Sequence, residues 1–321
     1  MKSFLHRKVF MQNCTIASLQ PFNMCKLCPR ECKVNREEGQ TGVCGVSAKL
    51  KVARAALHFW EETCISGTKG SGAVFFSGCA MHCVFCQNRE IAKGLAGKEI
   101  ERKRLAEIFL ELQEQGANNI NLVTPGQYVP HIVWAVESAR NQGLQIPIVY
   151  NTSSYEKIDT LKQLEGIVDV YLPDFKYWSS ELAKKYSNAP EYPKVAKAAI
   201  AEMVRQQPKI QFVYDKEQDL DLIKKGVIVR QLLLPGQLGD AKQIVKYLYD
   251  TYGDDIYLSL MSQYTPLKHI ECYPELNRKV DRKIYDRYVD YAISIGVENG
   301  YIQEEDVAEE SFIPSFDGEG V

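Results

Sequence analysis

Three closely spaced cysteines, Cys79, Cys83 and Cys86, are the residues whose type and arrangement most clearly indicate chemistry. They form the pattern C-x-x-x-C-x-x-C after an apolar run and Gly78. Cysteine thiolates hold iron–sulfur clusters, and three of them can bind three irons of a cubane, which leaves the fourth iron open to a substrate or cofactor. A structural zinc site prefers four ligands, usually in C-x-x-C pairs. The loop therefore predicts a catalytic [4Fe–4S] cluster.

A second set of cysteines, Cys25, Cys28, Cys32 and Cys44, has the spacing C-x-x-C-x-x-x-C with a more distant fourth member. The segment around them has too few apolar residues to be held together by burial, whereas four thiolates on one metal would fold it outright. Zinc and a second iron–sulfur cluster both fit this ligand set, and free buried thiols are the alternative. We expect metal binding here and leave the identity of the metal open.

The other three of the ten cysteines are expected to have different roles. Cys64 lies between the two sets and is compatible with joining either site or acting alone, whereas Cys14 and Cys272 resemble ordinary buried thiols. Nine of the cysteines lie between Cys14 and Cys86 in a chain of 321 residues. Disulfide frameworks are typical of small secreted chains, so this distribution favours metal or redox chemistry.

Composition and charge exclude several classes of protein. Hydrophobic residues make up 45% and charged residues 25% of the chain, as in ordinary globular proteins. The formal net charge of -2 gives no basic excess for nucleic acid or for a membrane surface. No apolar run reaches the roughly 18 residues of a membrane-spanning helix, and the first residues lack the apolar core of a secretory signal. We therefore expect a cytoplasmic protein.

Strand-like and helix-like segments alternate after residue 70. Apolar runs predict six buried parallel strands at residues 74–77, 120–124, 146–151, 168–172, 227–234 and 256–261. Amphipathic segments predict helices at residues 102–115, 131–142, 155–165, 194–205, 240–252 and 282–295, and residues 209–214 are compatible with another short strand. Such βα units form a parallel sheet, and six are too few for a closed eight-stranded barrel. We expect an α/β fold with an open, partial barrel.

The chain is divided accordingly into three parts. Residues 1–70 are expected to be an irregular, cysteine-rich, metal-binding extension, and the stretch GTKGSG at residues 67–72 resembles a linker. Residues 71–300 are expected to form the partial barrel. Residues 301–321 return to a loop composition and are expected to be a C-terminal tail.

The cysteine loop and several other stretches together resemble one enzyme superfamily. The three-cysteine motif after a first strand, with the aromatic Phe85 just before its third cysteine, resembles the signature of the radical S-adenosylmethionine (SAM) superfamily. The continuation CVFCQN is similar to the branch that contains pyruvate formate-lyase activating enzyme and its poorly characterised relatives. Further similar stretches are CKLCPRECKVNREEGQTGVCG, HFWEETCISG, PDFKYW, VIVRQLLLPG and FIPSFDGEGV.

This resemblance implies a partial (βα)6 barrel and two cofactors. SAM would chelate the open iron of the [4Fe–4S] cluster through its amino and carboxylate groups. One electron, from a donor such as flavodoxin or ferredoxin, would cleave the sulfonium C–S bond, and the 5′-deoxyadenosyl radical would take a hydrogen atom from a substrate. The cofactors carry this chemistry, whereas the protein orients them and excludes water.

The resemblance also places contacts to SAM at the carboxyl ends of the strands. The second strand end lacks the Gly-Gly-Glu motif of many relatives, so backbone carbonyls from Thr124 to Gly126 are expected to replace its glutamate. Lys176 is expected to pair with the SAM carboxylate. Arg230 is expected to contact the SAM carboxylate or ribose, or alternatively a carboxylate across the barrel. Helix capping is the alternative role for the polar residues after the third and fourth strands. The expected SAM-binding residues are Thr124, Gly126, Asn151, Ser153, Asp174, Lys176, Arg230 and Gln263.

Three functions are compatible with these observations. The chain resembles an activase whose partner is a glycyl radical enzyme. The unusual N-terminal cysteines favour a radical SAM enzyme that acts on a small molecule, a peptide or another protein residue. The absent Gly-Gly-Glu motif favours a non-catalytic iron–sulfur electron-transfer protein. No catalytic side chain beyond the cluster is assigned, and we interpret Glu61 and Glu62, near His58, as a solvated acidic turn rather than as substrate contacts.

Overall fold

The computed structural model describes residues 20–267, 270–303 and 314–321, so Cys14 lies outside the described residues. The strands are β1 (Leu50–His58), β2 (Ser71–Phe76), β3 (Lys98–Ile100), β4 (Ile120–Val123), β5 (Ile148–Thr152), β6 (Val170–Pro173), β7 (Gln211–Asp215), β8 (Leu220–Leu232), β9 (Tyr257–Met261) and β10 (Gly300–Ile302). The helices are α1 (Gln20–Asn23), α2 (Thr63–Ser66), α3 (Arg89–Ala92), α4 (Arg102–Glu114), α5 (Val129–Asn141), α6 (Ile158–Leu161), α7 (Ser180–Ser187), α8 (Tyr192–Gln206), α9 (Leu238–Tyr252) and α10 (Arg282–Ser294).

The strands form one open sheet in the order β10-β9-β8-β6-β5-β4-β2-β1-β3. From β2 to β9 along this order, every neighbouring pair is parallel. These six parallel strands are the six that the apolar runs predicted, so the predicted α/β fold class is confirmed. Residues 209–214 also contribute a strand, because β7 pairs antiparallel with β8 as a hairpin.

The longer helices pack their apolar stripes on the sheet. In α4 the predicted stripe of Leu105, Ile108, Phe109 and Leu112 is completely buried. The helix predicted at residues 155–165 is shorter than expected, since it consists of α6 and one 3-10 turn at Lys162–Leu164. No helix in the described ranges is long and apolar enough to cross a membrane.

β1 is a strand that the sequence analysis missed, because it predicted an irregular course for the first 70 residues. β1 pairs antiparallel with β2, and β3 pairs antiparallel with the other side of β1. Its sequence, LKVARAALH, alternates only weakly between apolar and polar residues, so local periodicity gives little signal. The predicted linker at residues 67–72 is also partly wrong, since β2 already begins at Ser71.

The end of the chain packs along β1. The Ala55 N–H donates to the Glu319 carbonyl oxygen at 2.9 Å, and the Gly318 N–H donates to the Ala53 carbonyl oxygen at 3.1 Å. Arg54 forms an ion pair with the Glu319 carboxylate at 2.5 Å. The predicted boundaries at residues 70 and 300 thus separate segments that pair with one another, and the division into three parts stays a prediction.

Replacing Gly320 by alanine is expected to detach this tail. Gly320 has φ +72, and an added Cβ would overlap the Ala55 carbonyl oxygen. The left-handed conformation alone costs a non-glycine residue about 1–2 kcal/mol. We expect a lower midpoint in thermal denaturation and faster proteolysis of the C-terminus. Gly239→Ala in α9 is the matched control, because a Cβ there meets no atom within 4 Å; equal behaviour of the two variants would contradict the prediction.

Glu156, in the loop after β5, is a buried carboxylate with incomplete hydrogen bonding. Its Oε1 accepts a hydrogen bond from Thr152 Oγ1 at 2.6 Å and from the Tyr150 hydroxyl at 3.3 Å. Its Oε2 has no hydrogen-bond partner within the described residues. Burial disfavours the charged form of a carboxyl group and raises the pKa of Glu156 to about 7.

Glu156→Gln is expected to stabilise the protein at pH 8 and to have little effect at pH 5. Because the folded-state pKa lies above the unfolded value of about 4.3, stability is lost as the pH rises between these two values. Urea denaturation at both pH values should show a gain of about 1–3 kcal/mol at pH 8. Glu114→Gln, at the exposed end of α4, is the control. An unchanged pH dependence in Glu156→Gln would refute the assignment.

Candidate functional site

The three-cysteine loop leaves the carboxyl end of β2 through Gly78. Gly78 has φ +91, and a Cβ there would lie 2.7 Å from Val46 Cγ2 and 2.8 Å from the Cys44 carbonyl oxygen. The Cys79 N–H donates to the same carbonyl oxygen at 3.2 Å. Only glycine tolerates both this conformation and this close approach. The loop is therefore seated directly on residues 20–48, which we call the N-terminal cysteine segment.

Cys79, Cys83 and Cys86 open into one cavity of about 280 Å³ at the carboxyl ends of the parallel strands. All three are free thiols. Burial raises the pKa of Cys79, and it raises the pKa of Cys86 to about 12. Buried thiols of this kind become thiolates when a metal centre binds them, because the coordinating metal displaces the proton.

The three thiols fit a cluster rather than a single ion. No three His, Cys, Asp or Glu side chains in the described part of the chain converge on one metal ion. A cubane makes a different demand, since each thiolate binds its own iron. Cys79, Cys83 and Cys86 meet this demand because all three face one cavity and come from one loop. Met81, His82 and Lys176 are among the residues that line the same cavity.

Polar groups from five different strands line the rest of the cavity. Seven of the eight expected SAM-binding residues are in its wall: Thr124, Asn151, Ser153, Asp174, Lys176, Arg230 and Gln263. They follow or end β4, β5, β6, β8 and β9, which run in parallel. Parallel pairing therefore brings together at one edge side chains that are far apart in the sequence.

Thr124 and Gly126 are separated by the turn that follows β4. Thr124 reaches the cavity and has φ +56, which is unusual for a β-branched residue and marks a locally strained backbone. Gly126 is not among the cavity-lining residues; it is buried behind them, where an added Cβ would lie 2.7 Å from the Glu156 carboxylate. The turn directs Gly126 toward the loop after β5, and its expected part in SAM binding stays a prediction.

Lys176 and Asp174 form an ion pair within the cavity wall. Lys176 Nζ lies 2.6 Å from Asp174 Oδ2, and the two side chains are 19% and 27% exposed. Burial by itself lowers the pKa of Lys176, but Asp174 and the nearby thiols of Cys83 and Cys86 raise it above its ordinary value. Lys176 is therefore a permanent positive charge beside the cysteine loop.

Arg230 forms ion pairs with two carboxylates in the segment after β1. Its Nε donates to Glu62 Oε1 at 2.8 Å, and its Nη2 bonds both Glu61 Oε2 and Glu62 Oε2. Burial by itself raises the pKa of Glu62, but Arg230 holds it below its ordinary value. The side chains of Glu61 and Glu62 are only 9% and 5% exposed. The interpretation of these residues as a solvated acidic turn is wrong, and the alternative partner expected for Arg230, a carboxylate across the barrel, is the observed one.

Gln127 is a site residue that the sequence analysis missed. Its side-chain amide donates to the carbonyl oxygens of Ser77 and Gly78, each at 3.0 Å, and to that of Thr124 at 2.8 Å. Its own carbonyl oxygen accepts from Arg36 Nη1 at 2.9 Å. One buried side chain thus fixes the start of the cysteine loop against the turn after β4. The stretch TPGQ after a predicted strand was the signal available, but nothing local identifies what its glutamine contacts.

The four cysteines of the N-terminal cysteine segment lie near one another, but in the described residues no three of them are arranged to bind one metal ion. Cys25 and Cys44 are buried, and Cys28 and Cys32 are half-buried. Burial, together with smaller contributions from the nearby Cys44 and Cys25, raises the pKa of Cys28 to about 12. The Cys32 Sγ accepts from the Val43 N–H at 3.3 Å. The four thiols are therefore neighbours, and metal binding by them stays a prediction.

Cys64 and Cys272 lie apart from both sets. Cys64 is buried in a separate apolar cluster with Val149, Leu172 and Ile228, where burial raises its pKa to about 12. Cys272 is exposed, so the expectation that it is buried is wrong. It lies in the loop between β9 and α10, where no apolar layer covers it.

Comparison with known proteins gives one family match and a distant relative. The model of the radical SAM superfamily matches residues 73–221. The uncharacterised protein MJ0674 of Methanocaldococcus jannaschii is 27% identical over 278 residues, which cover 84% of this chain and 75% of that protein. The matched region begins in β2 and includes the cysteine loop and the strand ends up to β6.

Two solved structures are distantly similar to this chain. Streptococcus suis SuiB bound to S-adenosylmethionine has a TM-score of 0.47 and 15% identity over 70% of this chain, and the chain spans about half of SuiB, 48%. A domain of pyruvate-formate lyase-activating enzyme from Bacteroides vulgatus has a TM-score of 0.38 and 12% identity, over 55% of this chain and 93% of that domain. The family match confirms, over residues 73–221, the resemblance to the radical SAM superfamily that the cysteine loop indicated.

Proposed function

We propose that this protein is a radical SAM enzyme, with a [4Fe–4S] cluster on Cys79, Cys83 and Cys86 and SAM in the adjoining cavity. The observation that carries the proposal is the opening of all three thiols and seven polar strand-end residues into the same cavity. When bound, the cluster supplies the electron that cleaves the sulfonium C–S bond of SAM and so yields a radical able to take hydrogen from a substrate. The radical SAM family match supports this chemistry.

The side chains of the cavity wall bind and orient the SAM. The Lys176 ammonium has three donors, so its bond to Asp174 leaves donors for the SAM carboxylate. Thr124, Asn151, Ser153 and Gln263 offer neutral hydrogen-bonding groups for the ribose and the amino acid portion. Asp174 fixes the ammonium in place. The ammonium of Lys176 thereby faces the cavity as a donor, and the Asp174 carboxylate is not left unpaired.

Arg230 is proposed to act as a positioning residue rather than as a direct ligand. Its guanidinium is already bonded to Glu61 and Glu62, so it holds these carboxylates in the wall. Glu61 lines the cavity and accepts a hydrogen bond from Asn121 Nδ2 at 2.8 Å. Glu61 therefore offers a fixed acceptor for the hydroxyl or amino groups of a ligand, in a chain that lacks the Gly-Gly-Glu motif.

The substrate is proposed from sequence resemblance. The similarity to the branch of pyruvate formate-lyase activating enzyme favours activation of a glycyl radical enzyme, with flavodoxin or ferredoxin as electron donor and a cytoplasmic location. A small molecule or peptide is the second candidate, favoured by the N-terminal cysteine segment, whose Cys44 directly contacts the cysteine loop. Incubating the reduced enzyme and SAM with each candidate distinguishes them: a protein-based glycyl radical supports the first, and a modified small product the second.

Combined replacement of Cys79, Cys83 and Cys86 by alanine is expected to abolish SAM cleavage. Without thiolates the cavity cannot hold iron, so 5′-deoxyadenosine formation with dithionite should fall to background. Iron and sulfide per chain should be counted after anaerobic reconstitution, with Cys272→Ala at an exposed position as the control. Iron retained by the triple variant would locate a second cluster in the N-terminal cysteine segment. Undiminished SAM cleavage in the triple variant would refute the proposed function.

Lys176→Met is expected to weaken SAM binding about ten- to hundredfold, which is the usual contribution of a hydrogen bond to a charged group. Equilibrium dialysis with the anaerobic, reconstituted enzyme measures this directly. Lys197→Met is the matched control, since the Lys197 ammonium lies over the Trp178 ring at 3.5 Å and is not among the cavity-lining residues. An affinity unchanged in Lys176→Met would remove Lys176 from the binding site.

A further inference from the structure

Ser187, the last residue of α7, contacts one cysteine of the loop. Its Oγ lies 3.1 Å from Cys83 Sγ, and the residue is only 4% exposed. The Tyr177 hydroxyl lies 2.8 Å from Ser187 Oγ. Tyr177 is completely buried. Neither residue is part of the cavity wall, and SAM binding as proposed above gives neither a role.

Counting protons assigns a donor to each hydrogen bond in this group. Each hydroxyl has one proton to donate. Because Ser187 donates its proton to the Cys83 sulfur, the hydrogen bond between the two hydroxyls is donated by Tyr177 to Ser187. The arrangement thus directs one hydroxyl proton at the Cys83 sulfur. A donor at this position lowers the negative charge on a thiolate ligand.

Arg30, in the N-terminal cysteine segment, hydrogen-bonds both the cysteine loop and the end of α7. Its Nε donates to the Ala80 carbonyl oxygen in the cysteine loop at 2.9 Å. Its Nη2 and Nη1 donate to the carbonyl oxygens of Ser187 at 3.0 Å and Asn188 at 2.6 Å. One planar guanidinium therefore joins the cysteine loop to the end of α7. Arg30 lies between Cys28 and Cys32 in the sequence. The conformation of the N-terminal cysteine segment therefore determines the position of the Arg30 side chain.

We infer that Ser187 and Tyr177 are positioning residues that raise the reduction potential of the cluster, and that Arg30 makes this effect depend on the N-terminal cysteine segment. The inference rests on the proposed function, since it requires a cluster bound to Cys83. Reduction adds one electron to the cluster, and a hydrogen bond to a ligand sulfur stabilises the more negative, reduced form. The external one-electron donor is dithionite in the test below.

The test is a potentiometric titration of the reconstituted protein, followed by electron paramagnetic resonance of the reduced cluster. Ser187→Ala is expected to lower the reduced-to-oxidised ratio about tenfold at a fixed potential, which corresponds to about 59 mV for one electron. Ser187→Thr retains the hydroxyl and should restore most of the potential. Ser138→Ala in α5, whose hydroxyl accepts from Gln142, is the matched control and should leave the potential unchanged.

Two further variants extend the test. The first keeps the buried ring of Tyr177, and the second measures the contribution of Arg30 to the reduction potential. Tyr177→Phe keeps the buried ring, and combined with Ser187→Ala it should shift the potential at least as far as the single variant. Arg30→Lys keeps the charge but loses the three-way contact, and a negative shift is expected. If Ser187→Ala, alone or combined with Tyr177→Phe, leaves the potential at the wild-type value, the inference is overturned. If only Arg30→Lys leaves the potential unchanged, the proposed dependence on the N-terminal cysteine segment is refuted.

Failure of this inference and failure of the proposed function give different results. If wild-type protein binds no iron–sulfur cluster through Cys79, Cys83 and Cys86, the iron and sulfide counts reveal it before any potential is measured, and both proposals fall. If the cluster forms normally in Ser187→Ala but its potential does not move, the proposed function stands and the role of Ser187 is refuted.

Discussion

The parallel pairing of six strands is the constraint on which the rest of this structure depends. Because β2, β4, β5, β6, β8 and β9 all run in the same direction, their carboxyl ends meet at one edge of the sheet. Cys79 after the first of these strands and Gln263 after the last therefore line the same cavity. A single reversed strand would send its terminal polar groups to the opposite edge, away from the cysteine loop.

Charges in the cavity wall are kept in place by pairing. A buried, unpaired charge is strongly destabilising, so each ionic group here comes with an opposite partner. Lys176 is paired with Asp174, and Arg230 with Glu61 and Glu62. These pairs also fix the positions of the charged groups, because a side chain whose charged end is held in an ion pair has few alternative rotamers. The wall is thus preorganised before any ligand binds.

The N-terminal cysteine segment is integrated with the site rather than appended to it. The Cys44 carbonyl oxygen accepts from the Cys79 N–H, Arg36 bonds the Gln127 carbonyl oxygen, and Arg30 joins the cysteine loop to α7. The Ala80 carbonyl oxygen and the Cys79 N–H of the loop both find their hydrogen-bond partners in this segment, as buried polar groups must. Any metal on its cysteines would therefore influence the loop through hydrogen bonds already in place.

The sequence by itself determined the features that are local. The spacing of Cys79, Cys83 and Cys86 indicated a cluster loop, and the period of apolar residues indicated six βα units and the strand ends that carry Lys176 and Asp174. Only the tertiary structure decided which distant groups meet. β1 pairs with β2 in the sheet although its own sequence pattern is weak. Arg230 forms an ion pair with Glu62, and Ser187 donates a hydrogen bond to Cys83. Periodicity reports which face of an element is buried, whereas ion pairs and hydrogen bonds between remote segments depend on the packing of the whole chain.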